Sequence, residues 1–226
     1  MCNDREVPSF NSARQQPPSN SDDAKTAVEI IKPPWATITY YELTSRVGES
    51  FKCHSNTVYV DGHTNPDKNK HLRRFRLGDV TNPGRSFDVI NVRKQIGGGV
   101  RLNYVGGELF ARCESESQIF VQSRYYNCVS GYEPDAICRM SKFRCRIMPL
   151  FEDSHFVYHL TEAVKQGCEA LHELKKMCTI KMSFGRGWGK SDEEDSLVPC
   201  WIIIRMEKQL NIIKEVLREM EALGSI

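Results

Sequence analysis

The residues in this chain that could do chemistry are cations framed by glycines, not paired nucleophiles and bases. Gly185-Arg186-Gly187-Trp188-Gly189 sets one arginine and one tryptophan among three glycines, with Lys190 following. Glycine permits positive φ and close backbone approach, so the loop is expected to take a tight, fixed shape that holds Arg186 and Trp188 outward. A guanidinium presented this way can fork onto phosphate oxygens. Between Ile137 and Ile147, Arg139 is followed by Lys142, Arg144 and Arg146, the last three on one face of an extended strand and readable as a solvated face. Lys68, Lys70, Arg73, Arg74 and Arg76 form a further basic run, either a solvated edge or an interface for an acidic partner. The acidic loop Asp192-Glu193-Glu194-Asp195 makes that interface concrete, because in a trimer Arg73 and Arg74 of one subunit could meet it on another.

No nucleophile, general base or carboxylate pair stands out, so the chain is not expected to be an enzyme. Gly189-Lys190-Ser191 mimics the end of a Walker A motif, but Phe184 stands where its first glycine should be. Gly97-Gly98-Gly99 is followed by strand-like residues and by no Lys-Ser or Lys-Thr. His155 and His159 stand at i and i+4 in a helical pattern, yet Phe156 replaces the glutamate of H-E-x-x-H and no third ligand is evident. None of the nine cysteines has C-x-x-C spacing, and the gaps among Cys128, Cys138 and Cys145 are too wide for a zinc knuckle. Neither a metal nor another cofactor is expected, and the thiols read as small buried residues.

With 226 residues, 40% hydrophobic and 27% charged, the chain has the composition of an ordinary globular protein with a substantial core. A net charge of +2 provides no global field to recruit DNA or a membrane surface, so electrostatic recognition must be local. No run approaches the roughly 18 apolar residues of a membrane span, and the N-terminus lacks the plan of a secretory signal. An intracellular protein is expected.

The elements that must position the cations follow from periodicity. Thr179, Lys181 and Ser183 alternate with Ile180, Met182 and Phe184, the pattern of a half-buried strand that delivers the glycine loop to a sheet edge. Trp201-Ile202-Ile203-Ile204 reads as a second, more buried strand. Alternation at Ile38, Tyr40, Val58 and Val60, broken by Asp61-Gly62, Asn82-Pro83-Gly84 and Gly106-Gly107, predicts several short strands in a sandwich. Phe87 to Gln95 has helical character and ends at the triple glycine. Phe156, Leu160, Val164, Cys168, Leu171 and Leu174 have helical spacing, with Asp153 or Ser154 as N-cap and Gly167 dividing two helices. Leu210, Ile213, Val216 or Leu217, Met220 and Leu223 repeat the pattern from Glu207 onward. Residues 1–32, rich in Ser, Asn, Gln and Pro, are expected to form a flexible tail ahead of one domain over 33–226.

Met177-Cys178-Thr179-Ile180-Lys181-Met182-Ser183-Phe184 followed by Gly187-Trp188-Gly189 resembles the C-terminal domain of Smad proteins, the MAD homology 2 domain. The resemblance extends collinearly from Trp35 to Leu223, through Ile38 to Leu43, Arg46-Val47-Gly48-Glu49, Val60-Asp61-Gly62, Tyr104-Val105-Gly106-Gly107-Glu108 and Ile119 to Ser123. It implies a mainly β fold, a Smad/FHA-like β-sandwich capped by a three-helix bundle at one end and loop-helix elements at the other. In receptor-activated Smads a basic residue at the place of Arg139 and the lysine at the place of Arg186 bind a phosphoserine. Arg139 and Arg186 are therefore the expected phosphoserine site, and Gly185, Arg186, Gly187, Trp188, Gly189 and Lys190 the loop that meets receptor or partner.

The resemblance further implies a signal transducer of a TGF-β-family receptor pathway, moving between cytoplasm and nucleus. It would bind phosphorylated Smad tails, join homo- or heterotrimers of Smads, meet a type I receptor kinase and regulate transcription through cofactors. The residues before Trp35 leave no room for the Smads' DNA-binding domain, so direct DNA contact is not expected, nor is a membrane. Leu223-Gly224-Ser225-Ile226 ends where receptor-activated members continue into an S-x-S tail. The acidic loop is shorter than usual and would repel phosphate unless it points away. The alternative is an inhibitory Smad that competes for receptor or partner Smad.

Overall fold

The computed structural model describes residues 33–65, 73–188 and 198–222. The expected tail over 1–32 lies outside these residues. Seven strands form one sheet: β1 (Ala36–Glu42), β2 (Ser45–Arg46), β3 (Phe51–Cys53), β8 (Ile119–Gln122), β9 (Cys138–Met140), β11 (Thr179–Phe184) and β12 (Trp201–Met206). Its order is β2-β1-β12-β11-β8-β9, with β3 also paired to β1. The second sheet has the order β10-β7-β6-β4-β5, from β4 (Thr57–Asp61), β5 (Arg74–Arg76), β6 (Val100–Val105), β7 (Glu108–Cys113) and β10 (Ile147–Glu152).

The alternation read from the sequence supplies the core. Ile38 and Tyr40, Ile180 and Met182, Ile202 and Ile204 of the first sheet are fully buried, as are Val58, Val60, Leu102, Leu109 and Ala111 of the second. All belong to one continuous apolar cluster, the interior of a β-sandwich. Trp35, just before β1 of the first sheet, and Tyr104 of β6 in the second stack with centroids 5.0 Å apart.

Helix α1 (Phe87–Ile96) begins at Ser86, whose hydroxyl accepts from the Val89 N–H, and stops at Gly97 with φ +52. The short α2 (Arg124–Val129) follows β8. Helices α3 (Asp153–Gln166), α4 (Cys168–Met177) and α5 (Glu207–Ala222) pack against one another as the expected three-helix bundle, divided at Gly167 as predicted. The N-cap of α3 is Glu152, not Asp153 or Ser154. Asp153 is engaged elsewhere: its carboxylate accepts from the Tyr104 hydroxyl at 2.9 Å and from the Gln209 amide, tying α3 to β6 and α5. No helix among the described residues is long and apolar enough to cross a membrane.

One deep polar cluster holds the loop-helix end. Glu42, 3% exposed, accepts from Arg85 at 2.7 Å, Arg93 at 3.1 Å, Asn82 at 2.7 Å and the Tyr40 hydroxyl at 3.0 Å. Arg93 also donates to the Gly78 and Val80 carbonyls, each at 3.3 Å. Burial raises the Tyr40 hydroxyl above its ordinary pKa, so it stays a donor. A carboxylate so buried is tolerable only because both of its oxygens accept from donors.

Candidate phosphate-binding site

Register places the site. Ser183 of β11 lies opposite Phe120 of β8, Phe120 opposite Arg139 of β9, and on the other side Ser183 lies opposite Trp201, itself opposite Tyr41 of β1. Directly opposed residues share a face, so Tyr41, Trp201, Ser183, Phe120 and Arg139 form one row across the outside of the sheet. Trp201 stacks on Tyr41 at 4.3 Å and donates its indole N–H to the Leu43 carbonyl at 2.7 Å.

The glycine loop folds onto this row. Gly185, at φ +73, is the centre of a three-residue turn in which the Arg186 N–H donates to the Phe184 carbonyl at 2.8 Å. Its own N–H donates to the Gln118 carbonyl at 2.9 Å. The Ser183 hydroxyl donates to the Arg186 carbonyl at 2.7 Å, and the loop covers Ser183 completely, although its strand position faces outward. Gly187 then passes so close to Phe120 that a Cβ there would lie 2.6 Å from the ring. Trp188 departs from the expected outward pose, because it lies edge-on against Trp201 with centroids 6.0 Å apart. Aromatic burial outweighs exposure of so large an apolar ring.

Phe120 is thus the shared floor beneath Arg139 and the loop. The Arg139 guanidinium sits 5.6 Å from the Phe120 ring centroid, a cation–π contact that leaves its donors outward. Arg139 and Arg186 are both exposed, and among the described residues neither side chain has an ion pair or a hydrogen bond. An unpartnered guanidinium over an aromatic ring, with a second on the loop that packs against the same ring, is suited to an anion.

The neighbouring cations behave otherwise. The expected strand through Lys142, Arg144 and Arg146 does not form: β9 ends at Met140, and a loop closes where the Ser141 N–H donates to the Cys145 carbonyl at 3.2 Å. The chain turns because Ser141 also accepts from the Arg144 N–H. Lys142 pairs with Glu116 and Arg146 with Glu114, the latter at 3.4 Å. Arg74 pairs with buried Asp61 at 2.7 Å and lies over Tyr59, while Arg73 is exposed. Gly189, Lys190, Asp192, Glu193, Glu194 and Asp195 lie outside the described residues.

Two features escaped the sequence. A groove of about 410 Å³ opens between the outer sheet face and the bundle, with Lys175, Lys181, Arg205, Thr179, Gln122 and Leu210 among its lining residues. Lys181 and Arg205 face outward on adjacent strands, which alternation suggests, but only register makes them neighbours. The expectation that His155 and His159 lack a third ligand is also corrected. Cys128, at the end of α2, brings its thiol so close that one ligand atom from each of the three lies within 4.8 Å of the others. Of the thiols described, Cys53, Cys113, Cys178 and Cys200 are buried as expected, and Cys128 is exposed. Burial pushes the Cys178 and Cys200 thiols up, to about 12 and about 11.

Comparison with known proteins places this geometry. The chain is similar in fold to the crystal structure of the Interferon Regulatory Factor 9 IAD domain, with a TM-score of 0.58 at 12% identity, covering 85% of this chain and 93% of that one. A chain in the crystal structure of STAT2 in complex with IRF9 matches with a TM-score of 0.57 at 13% identity, over 82% of this chain and 98% of that one. At such identities the likeness concerns the sandwich alone. A family model for the MH2 domain matches residues 33–207, which include both sheets, the loop, Arg139 and Arg186. This chain therefore belongs to the MH2 domain family, the C-terminal domain of Smad proteins.

Proposed function

We propose that the chain is a transducer in a TGF-β-family receptor pathway that accepts the phosphorylated S-x-S tail of another Smad in the Arg139–Arg186 site. The observation that carries this reading is the Phe120 ring: Arg139 lies over it from β9, the glycine loop that presents Arg186 packs against it at Gly187, and among the described residues neither exposed arginine has a carboxylate partner. A phosphoserine brings roughly −1.5 to −2 charges and three acceptor oxygens, the complement of two guanidinium forks. The docked tail links subunits into a heterotrimer, which enters the nucleus from the cytoplasm and regulates transcription through cofactors and DNA-binding partners. The loop over Gly185 to Lys190 also meets a type I receptor kinase. Arg73 and Arg74 contribute to the subunit interface against the acidic residues 192–195.

The structural neighbours support an interaction role, since one of them is a component of a complex between STAT2 and IRF9. Light scattering of the chain mixed with the C-terminal domain of a receptor-activated Smad tests the proposal. A heterotrimer is expected with the phosphorylated partner alone. Assembly that ignores phosphorylation would overturn the tail-acceptor reading and favour an inhibitory Smad that competes for receptor or partner through another surface.

A further inference from the structure

The bundle side of the molecule carries a second cluster that the anion site does not use. His155 and His159 are one turn apart on α3, and Cys128 reaches them from the C-terminal end of α2, with one ligand atom from each inside a 4.8 Å span. The arrangement has an unsatisfied group: Nε2 of His155 is buried and has no hydrogen-bond partner. A buried imidazole nitrogen without a partner forfeits its solvation with nothing in return. The ring is nonetheless held in place, because Tyr125 packs edge-on against it at 5.1 Å and the Tyr125 hydroxyl donates to Glu152 at 2.8 Å. The His155 and His159 rings lie 4.4 Å apart.

We propose that Cys128, His155 and His159 form a zinc site, with Nε2 of His155 as one donor. One thiolate and two imidazoles are borderline-soft ligands that suit Zn²⁺, and tetrahedral geometry leaves a fourth position for water. The thiol of Cys128 loses its proton to solvent on binding, and no electron is transferred. The metal gives the orphaned nitrogen its partner. It also clamps the six-residue α2 to the first helix of the bundle, two elements joined through the chain only by the β9 and β10 region. Exposure of Cys128 leaves the site open to solvent and hence to metal exchange.

The full chain, stripped with a chelator, is titrated with Co²⁺ as a spectroscopic stand-in and then with Zn²⁺. One Co²⁺ per chain is expected, with thiolate-to-cobalt charge-transfer absorption and the intense visible bands of a tetrahedral site, both abolished by Zn²⁺. Zn²⁺ should also slow alkylation of Cys128. Cys128→Ser, His155→Gln and His159→Gln should each weaken binding by more than the about 10–100-fold typical of losing an outer-shell partner. His172→Gln and Cys145→Ser, outside the cluster, should leave it unchanged. Absence of the thiolate band would overturn the proposal, as would binding that survives all three ligand variants, which would reveal adventitious metal on other thiols. Cys128→Ser and His159→Gln alter residues that are not fully buried, so these two keep the test decisive if His155→Gln fails to fold.

Discussion

Two arginine pairs in this molecule have opposite surroundings. Arg85 and Arg93 converge on Glu42, with side chains 16% and 13% exposed, and their donors reach the carboxylate and main-chain carbonyls. Arg139 lies over Phe120, Arg186 sits on the loop that packs against the same ring, both are exposed, and neither meets a carboxylate among the described residues. The first pair has its anion built in and serves the fold. The second has an aromatic ring beside it and no anion among the described residues, so its donors are available to one from outside. The same residue type is structural or receptive according to whether the fold supplies the countercharge.

The comparison breaks first at Glu42. Glu42→Ala leaves two largely buried guanidiniums uncompensated and should cost about 3–5 kcal/mol, read as a lower midpoint in denaturant unfolding. A loss under about 1 kcal/mol would mean that the cluster is solvated and no different from the surface pair.

Arg186→Ala or Arg139→Ala should do the reverse. Each should lose about 1.5–3 kcal/mol of affinity for a doubly phosphorylated S-x-S peptide, measured by calorimetry, while unfolding shifts by no more than about 0.5 kcal/mol. Arg186→Lys should fall between, since charge survives but the fork does not. Equal peptide binding by wild type and Arg186→Ala would remove the phosphate site altogether.

A smaller effect is expected at Gly187→Ala. The added Cβ meets the Phe120 ring at 2.6 Å, so ring or loop must shift and the two arginines lose their spacing. Peptide affinity should fall several-fold with about 1 kcal/mol or less of stability lost, because Phe120 is only half-buried and can give way. Salt sharpens the contrast most gently. Raising ionic strength from about 0.1 to about 1 M shortens the screening length from about 10 to about 3 Å, which should weaken peptide binding while leaving the Glu42 cluster intact in unfolding assays.

Much of the architecture was legible because it depends on local periodicity. Strand alternation at Thr179 to Phe184 and helical spacing at Phe156 to Leu174 each mark the face that must be buried, and the glycine at 167 divides two helices as its position suggests. The stretch after Arg139 misled because a basic, apolar-interleaved run satisfies a strand pattern while Ser141 and Cys145 close a turn by hydrogen bonds that no periodicity reveals. Asp153 looked like a helix cap, but its partners, Tyr104 and Gln209, are 49 and 56 residues away.

The sequence by itself determined the cations, the glycines that free the loop and the alternating faces, because these are properties of residue type and spacing. Tertiary structure alone decided which cations keep their charge available. Strand register set Arg139 opposite Phe120 and in one row with Ser183, residues 19 and 44 positions from it in the chain, and the folded loop laid Trp188 down while leaving Arg186 exposed. Packing of α2 against the bundle likewise gave His155 and His159 the thiol of Cys128. A countercharge or a third ligand is supplied across space, and spacing along one chain does not encode that distance.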